Sequence, residues 1–172
     1  MSKVIFAPEK EKINSKIIFL AGPIQGAPDW HTKAIRIISK LDPDIIIACP
    51  KRYNITKTSD FGDKDYAEQV DWETHALRLT EKYGVIMFWL AVQTIERKDR
   101  SYAQTTRFEL AEWKMRHEFR KARLALGIEK GFFGERYLRR RFGQDCPEIK
   151  IQKSLKETCE EAGRLLKSKK NY

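Results

Sequence analysis

Four apolar runs interrupt an otherwise polar chain, at residues 16–21, 45–49, 85–90 and 124–128. Each is continuous rather than alternating, which predicts strands buried on both faces, as in a parallel sheet. Helical spacing fills the gaps between them. Trp30, Ala34, Ile37, Ile38 and Leu41 form one amphipathic stripe, with Asp29 as its N-cap and Asp42-Pro43-Asp44 as its stop. A second helix is predicted over about 65–82, broken by Gly84, and a third over about 106–121. The third carries Phe108, Ala111, Met115, Phe119 and Ala122 on one stripe, which predicts a core-facing side. A short helix near 135–141, a small fifth strand at 149–151 and a last helix to about Leu166 complete the pattern. Ser154 and Glu157 form a capping box for that last helix, which runs into the basic tail 167–170. Residues 1–15 read as a tail or an added edge strand, because Pro8 and the charged run 9–12 end the β-prone Val4-Ile5-Phe6. Residues 51–64 read as a long polar loop, and 91–102 as a charged one.

Alternating strands and helices without repeats predict one α/β domain over 16–172, with a mainly parallel sheet. A chain of 172 residues, 41% of them hydrophobic, suits a single core of that kind. No apolar run approaches the length of a membrane span, and the apolar part of the N-terminus is too short for a signal peptide. Cys49, Cys146 and Cys159 are odd in number and widely spaced, without metal-ligand spacing. Reduced buried thiols and a cytoplasmic location are expected.

The net charge of +10 suits an anionic substrate or partner. From Lys114 to Arg141 there are ten Lys or Arg against three Glu. The ordinary reading of such a run is a solvated helix face, favoured over nucleic-acid binding. Phe132, Phe133, Tyr137 and Phe142 within it keep the second option open.

Candidate chemistry lies in carboxylates. The chain has no Gly-x-Gly-x-x-Gly and no Walker-type Gly-Lys-Thr/Ser, which argues against the usual dinucleotide and triphosphate sites. No serine sits in a nucleophile elbow, and His31, His75 and His117 fall on three separate helices. Two loops leave strand ends where an α/β sheet forms its ligand crevice: Gly22-Pro23-Ile24-Gln25-Gly26 and the segment before Thr105-Thr106-Arg107-Phe108-Glu109. Glu109 opens a helix, where the dipole is expected to keep it ionised. Asp71 and Glu73 sit on the preceding helix beside Trp72. Paired carboxylates suit displacement at an acetal-like sugar carbon, one attacking and the other handling the proton of the leaving group. Equally, a Glu near a helix start stabilises that terminus, and Arg107 could pair with it at the surface. Phe88, Trp89, Phe108 and Trp113 could wall a site for a flat base, or serve as core.

The set Phe19-Leu20-Ala21-Gly22-Pro23-Ile24-Gln25-Gly26, Gln69-Val70-Asp71-Trp72-Glu73, Phe88-Trp89 and Thr106-Arg107-Phe108-Glu109-Leu110 resembles the nucleoside 2-deoxyribosyltransferase family, in its Thr-Arg-Phe-Glu-Leu branch. The resemblance covers about residues 16–142. It implies a three-layer, flavodoxin-like fold with a five-stranded parallel sheet, and cleavage of the N-glycosidic bond of 2'-deoxyribonucleosides. Transferases of the family pass the deoxyribosyl group to another base; related hydrolases pass it to water, often from a 5'-monophosphate. The family's nucleophile falls on Glu109 and its second acid on Glu73, with Asp71 as the alternative. Gly22 to Gly26 would line the sugar, Thr105 and Thr106 the sugar or a 5'-phosphate, and Trp89 the base. No metal or organic cofactor is implied, and a homodimer or larger oligomer is. The chain departs from the pattern at Ala111, where glycine is usual, at Gly84, where aspartate is frequent, and at Gln25, where the nucleotide hydrolases carry arginine. Arg107 could supply that missing charge. A non-catalytic nucleotide- or nucleic-acid-binding module on the basic segment 114–141 is the rival expectation.

Overall fold

The computed structural model describes residues 1–52 and 62–168. Five parallel strands form one sheet: β1 (Val4–Phe6), β2 (Ile17–Ala21), β3 (Ile46–Cys49), β4 (Gly84–Leu90) and β5 (Leu124–Ile128), in the order β1-β3-β2-β4-β5. Among the described residues five helices flank it: α1 (Trp30–Leu41), α2 (Asp63–Tyr83), α3 (Gln104–Arg120), α4 (Glu135–Asp145) and α5 (Leu155–Lys167). The result is the three-layer flavodoxin-like α/β architecture.

The apolar runs are continuous because both sheet faces are covered. Alternate residues of one run serve opposite layers. Ile17, Phe19, Ala21, Ile86, Phe88 and Leu126 pack with Trp72 and Leu77 of α2, Leu110 and Trp113 of α3, and Phe142 of α4. Ile18, Leu20, Val85, Met87, Trp89 and Ala125 pack with Trp30, Ala34 and Ile38 of α1, and Cys159 and Ala162 of α5. Asp29 caps α1 by accepting from Thr32 N, and the Ser154–Glu157 capping box opens α5. Gly84 both ends α2 and starts β4. All three cysteines are buried.

Of the two readings of residues 1–15 the edge strand is the one found: Val4–Phe6 pairs in parallel with β3 at the sheet edge. Two expectations change. Residues 149–151 form no strand; only an isolated bridge joins Gln152 to Gly127. The α3 stripe faces outward, with Phe108 75%, Met115 48% and Phe119 76% exposed and Ala111 also exposed. The buried side of α3 instead presents Thr106, Leu110, Trp113 and Lys114. Most of the predicted long loop, 53–61, lies outside the described residues, as do Lys169 and Lys170 of the basic tail. Among the described residues no helix is long and apolar enough to cross a membrane.

Candidate functional site

The connections from β2 run to β3 on one side and, after α2, to β4 on the other. That reversal of strand order opens a crevice beyond the carboxyl ends of β2 and β4, the usual ligand position of such sheets. A cleft of about 700 Å³ occupies it. Its walls come from the loop after β2, Pro50 to Arg52 after β3, one face of α2, the segment after β4, and the start of α3.

Gly22, Pro23, Ile24 and Gln25 line the cleft. Gly22 lies so close to β4 that a Cβ there would sit 2.3 Å from Trp89 O. Gly26 has φ of +78°, and a Cβ would come within 2.8 Å of Ile95 O. The carbonyl of Gly26 accepts from Thr94 N at 2.8 Å and Ile95 N at 3.1 Å, so the two loops are stitched together. Trp30 Nε1 donates to Pro23 O at 2.8 Å and holds the loop from α1. These glycines therefore permit close backbone approach, which shapes the wall beside any ligand.

Two carboxylates from different helices meet in this cleft. Glu73 comes from α2 and Glu109 from the second turn of α3. Trp72 fixes the rotation of α2: it is buried, lies 6.1 Å from the Phe19 ring, and donates Nε1–H to Glu9 O at 2.6 Å. With Trp72 pinned inward, Glu73 reaches the cleft, while Asp71 is exposed and outside it. Gln69, one turn before Glu73, donates to Glu73 Oε1 at 2.7 Å and to Pro50 O at 2.8 Å. Arg52 Nε in turn donates to Gln69 Oε1 at 2.8 Å, and its guanidinium also holds Asp65 and Glu68. Arg52 thus fixes the Gln69 amide, and the amide fixes Glu73.

No hydrogen bond or ion pair among the described residues engages the Glu109 carboxylate. Burial, then the charges of Glu73 and Glu112, push its pKa up to about 8. Burial also raises Glu73, opposed by the Gln69 hydrogen bond and by Arg52. The expectation that the helix dipole keeps Glu109 ionised is therefore overturned: removal from water and a neighbouring carboxylate outweigh it. Around neutral pH the pair shares a proton. That proton rests on Glu109, since Gln69 and Arg52 favour charge on Glu73.

Thr105 and Thr106 line the cleft, with Thr106 buried. Arg107 does not line it. Its guanidinium lies 4.6 Å from the Phe132 ring centroid and donates to Phe133 O at 2.7 Å, so it neither pairs with Glu109 nor supplies charge to the cleft. Trp89 is also absent from the walls: its ring faces the opposite layer, against Gly127. Phe88 and Trp113 are core, and Phe108 is on the outer face of α3. Among the described residues, the cleft's cations are Lys51, Arg52, Arg97 and Arg100, and Phe19, Tyr66 and Tyr102 supply aromatic rings. Composition hints at none of these, because they come from separate loops and the α2 face. Only Gln69, one helical turn before Glu73, was legible as a neighbour.

Lys51 pairs with Asp29 at 3.0 Å, and Arg97 with Asp99 at 2.9 Å. Hydrogen bonds from Lys51 and Thr32 override burial and hold Asp29 at about 2. Such a cleft offers two carboxyl groups that share a proton, a glycine-lined wall and a cationic mouth. That set suits displacement at a sugar carbon carrying a polar leaving group.

No curated protein matches the chain. A family profile described as "Nucleoside 2-deoxyribosyltransferase like" matches residues 15–129, about two thirds of its length and nearly every wall of the cleft. The chain belongs to the nucleoside 2-deoxyribosyltransferase-like family.

Proposed function

We propose that this enzyme transfers 2-deoxyribosyl groups between bases through a covalent intermediate on Glu109, with Glu73 as acid and base. The carrying observation is the pair of half-buried carboxylates, from α2 and α3, that share one cleft at the reversal of strand order. Binding of a nucleoside moves the shared proton to Glu73. A Glu109 oxygen then attacks C1' as the N-glycosidic bond breaks, and the bonding electrons leave with the base. Glu73 donates its proton to that base. In the second half, an acceptor base gives a proton to Glu73, attacks C1' and frees the Glu109 carboxylate. Asp71 has no part, because it lies on the solvent side of α2.

Gly22 to Gln25, Thr105 and Thr106 bind the sugar, and Tyr66 and Tyr102 flank the base. Hydrolysis of a deoxynucleoside 5'-monophosphate is the second reading, favoured by Lys51, Arg97 and Arg100 at the mouth. The chemistry calls for no cofactor. The three buried, unpaired thiols support a reducing, cytoplasmic setting. The exposed apolar face Phe108, Ala111, Met115 and Phe119 supports a homo-oligomer, dimer or larger, built on α3.

The test is incubation with deoxynucleosides and their monophosphates, with and without a free acceptor base, with products separated by chromatography. Base exchange that requires the acceptor supports transfer, and acceptor-independent release from monophosphates supports hydrolysis. A deoxyribosyl adduct on Glu109 in intact-protein mass spectra is expected. Turnover undiminished in Glu109→Gln would remove the assignment.

A further inference from the structure

The basic segment is neither evenly charged nor evenly solvated once folded. In α4, Leu138 and Phe142 turn inward, and Phe142 is fully buried. The opposite face presents Arg136, Tyr137, Arg140 and Arg141, all exposed. Phe133, in the turn just before the N-cap Gly134 of α4, is exposed as well. Phe133 is 86% and Tyr137 66% exposed, unusual values for aromatic rings that the adjacent core could have absorbed.

The turn that presents Phe133 is held in place. Phe132 is buried beneath the Arg107 guanidinium, and Arg107 Nη2 donates to Phe133 O at 2.7 Å. Gly131 N donates to Glu135 Oε2 at 3.0 Å, and Phe132 N to Glu129 O at 3.0 Å. Arg141 pairs with Asp145 at 2.8 Å, whereas Arg136, Arg140 and Lys130 hold no ion pair among the described residues. The strip thus sets exposed aromatic rings, one of them on a backbone-anchored turn, beside cations with no ion pair among the described residues, and none of its residues lines the catalytic cleft.

We propose that this strip, Phe133, Arg136, Tyr137 and Arg140, binds single-stranded nucleic acid. Cations track the phosphates, and exposed rings stack unpaired bases regardless of sequence. A duplex has no unstacked base to offer such rings. A second copy of the chain is a poor occupant, because an isologous contact would bring Arg136, Arg140 and Arg141 against themselves. The protein's net charge of +10 adds a long-range attraction for a polyanion.

The test uses the full chain and a fluorescein-labelled thymidine oligonucleotide of about 20 residues, followed by anisotropy at about 50 and 200 mM salt. Unlabelled competitors are the oligonucleotide itself, its duplex with adenosine strands, and phosphatidylserine vesicles. The single strand is expected to compete best. Phe133→Ala/Tyr137→Ala should weaken binding at least about fivefold. Arg136→Gln/Arg140→Gln should reduce the slope of log affinity against log salt by about 1.4. Circular dichroism checks the fold of both variants, and nucleoside turnover should be unchanged in both. Binding unaltered by either pair overturns the proposal, as does better competition by duplex or vesicles.

Discussion

The two halves of α3 carry charge in opposite ways. At its start, Glu109 shares the cleft with Glu73 and has no cation or hydrogen bond of its own among the described residues, and its pKa is pushed up to about 8. About a turn and a half on, Lys114 is bonded by Glu118 and Asp145, Arg141 adds a second cation to Asp145, and the Asp145 carboxyl is held below its ordinary range by its hydrogen bond to Lys114. His117 bridges Ala122 O and Glu148 at 2.7 Å each, tying the end of α3 to the turn after α4. One end buries a carboxyl with no partner for its charged form, a costly state that chemistry can use. The other neutralises charge and serves to join helices. The same residue types appear in both, so their partners decide their roles.

The largest expected break in that contrast is Glu109→Gln. Turnover should fall by roughly 10⁴-fold or more, as for loss of a nucleophile. The same variant should melt higher at about pH 8, because it removes an acid that burial disfavours in charged form. At about 2–4 °C per kcal/mol, that gain is readable by calorimetry. Lys114→Met should do the reverse: it strands Glu118 and leaves Asp145 to Arg141 alone, lowers Tm by several degrees, and leaves kcat within about twofold.

Glu73→Gln should cost about 10²–10⁴-fold in turnover, as for loss of a general acid and base. It also removes one of the charges that raise Glu109. In the native enzyme kcat/KM should fall as pH rises above about 8, where the pair loses its shared proton. In Glu73→Gln that alkaline limb should be lost, a difference that stopped assays across pH 6 to 10 would reveal (roughly the span set by a pair titrating near 8).

A smaller effect, about tenfold in kcat, is expected of Gln69→Ala, since the amide orients Glu73 without touching the reacting carbon. KM should stay near its native value, and the alkaline limb should move upward because the amide favours charge on Glu73.

The least effect is a difference in slope. Glu109 is raised, so its contribution to stability falls as pH rises from the ordinary value of 4.5 through about 8, and the raised Glu73 acts in the same direction. Asp145 and Glu148 have lowered values, so theirs is present above the ordinary values of 3.8 and 4.5 and is lost as pH falls through the lower folded ones. Urea midpoints of the native protein and Glu109→Gln, compared near pH 5 and pH 8, should diverge only at the higher pH.

Legibility followed burial. The strands 17–21, 46–49, 84–90 and 124–128 could be read because burial on both faces demands unbroken apolar runs. The α3 stripe misled, because periodicity states that a face is apolar but not what covers it. Phe108, Met115 and Phe119 are open here, while Leu110 and Trp113 make the contacts with the sheet. Residues 149–151 had strand composition, yet β5 accepts only a single bridge at Gln152. Arg107 and Trp89 stood in the right motifs and face away from the cleft, since neighbours on a strand or helix point in different directions.

The sequence by itself determined the layers, the strand ends and the chemical type of the candidate groups, because local periodicity and loop chemistry encode those directly. Only the tertiary structure decided which carboxylate joins Glu109. Residues 71 and 73 are two positions apart, and the anchoring of Trp72 turns one to solvent and the other into the cleft. It also decided the protonation of the pair, since burial and the approach of two helices remote in sequence set that energy, and no local pattern records it.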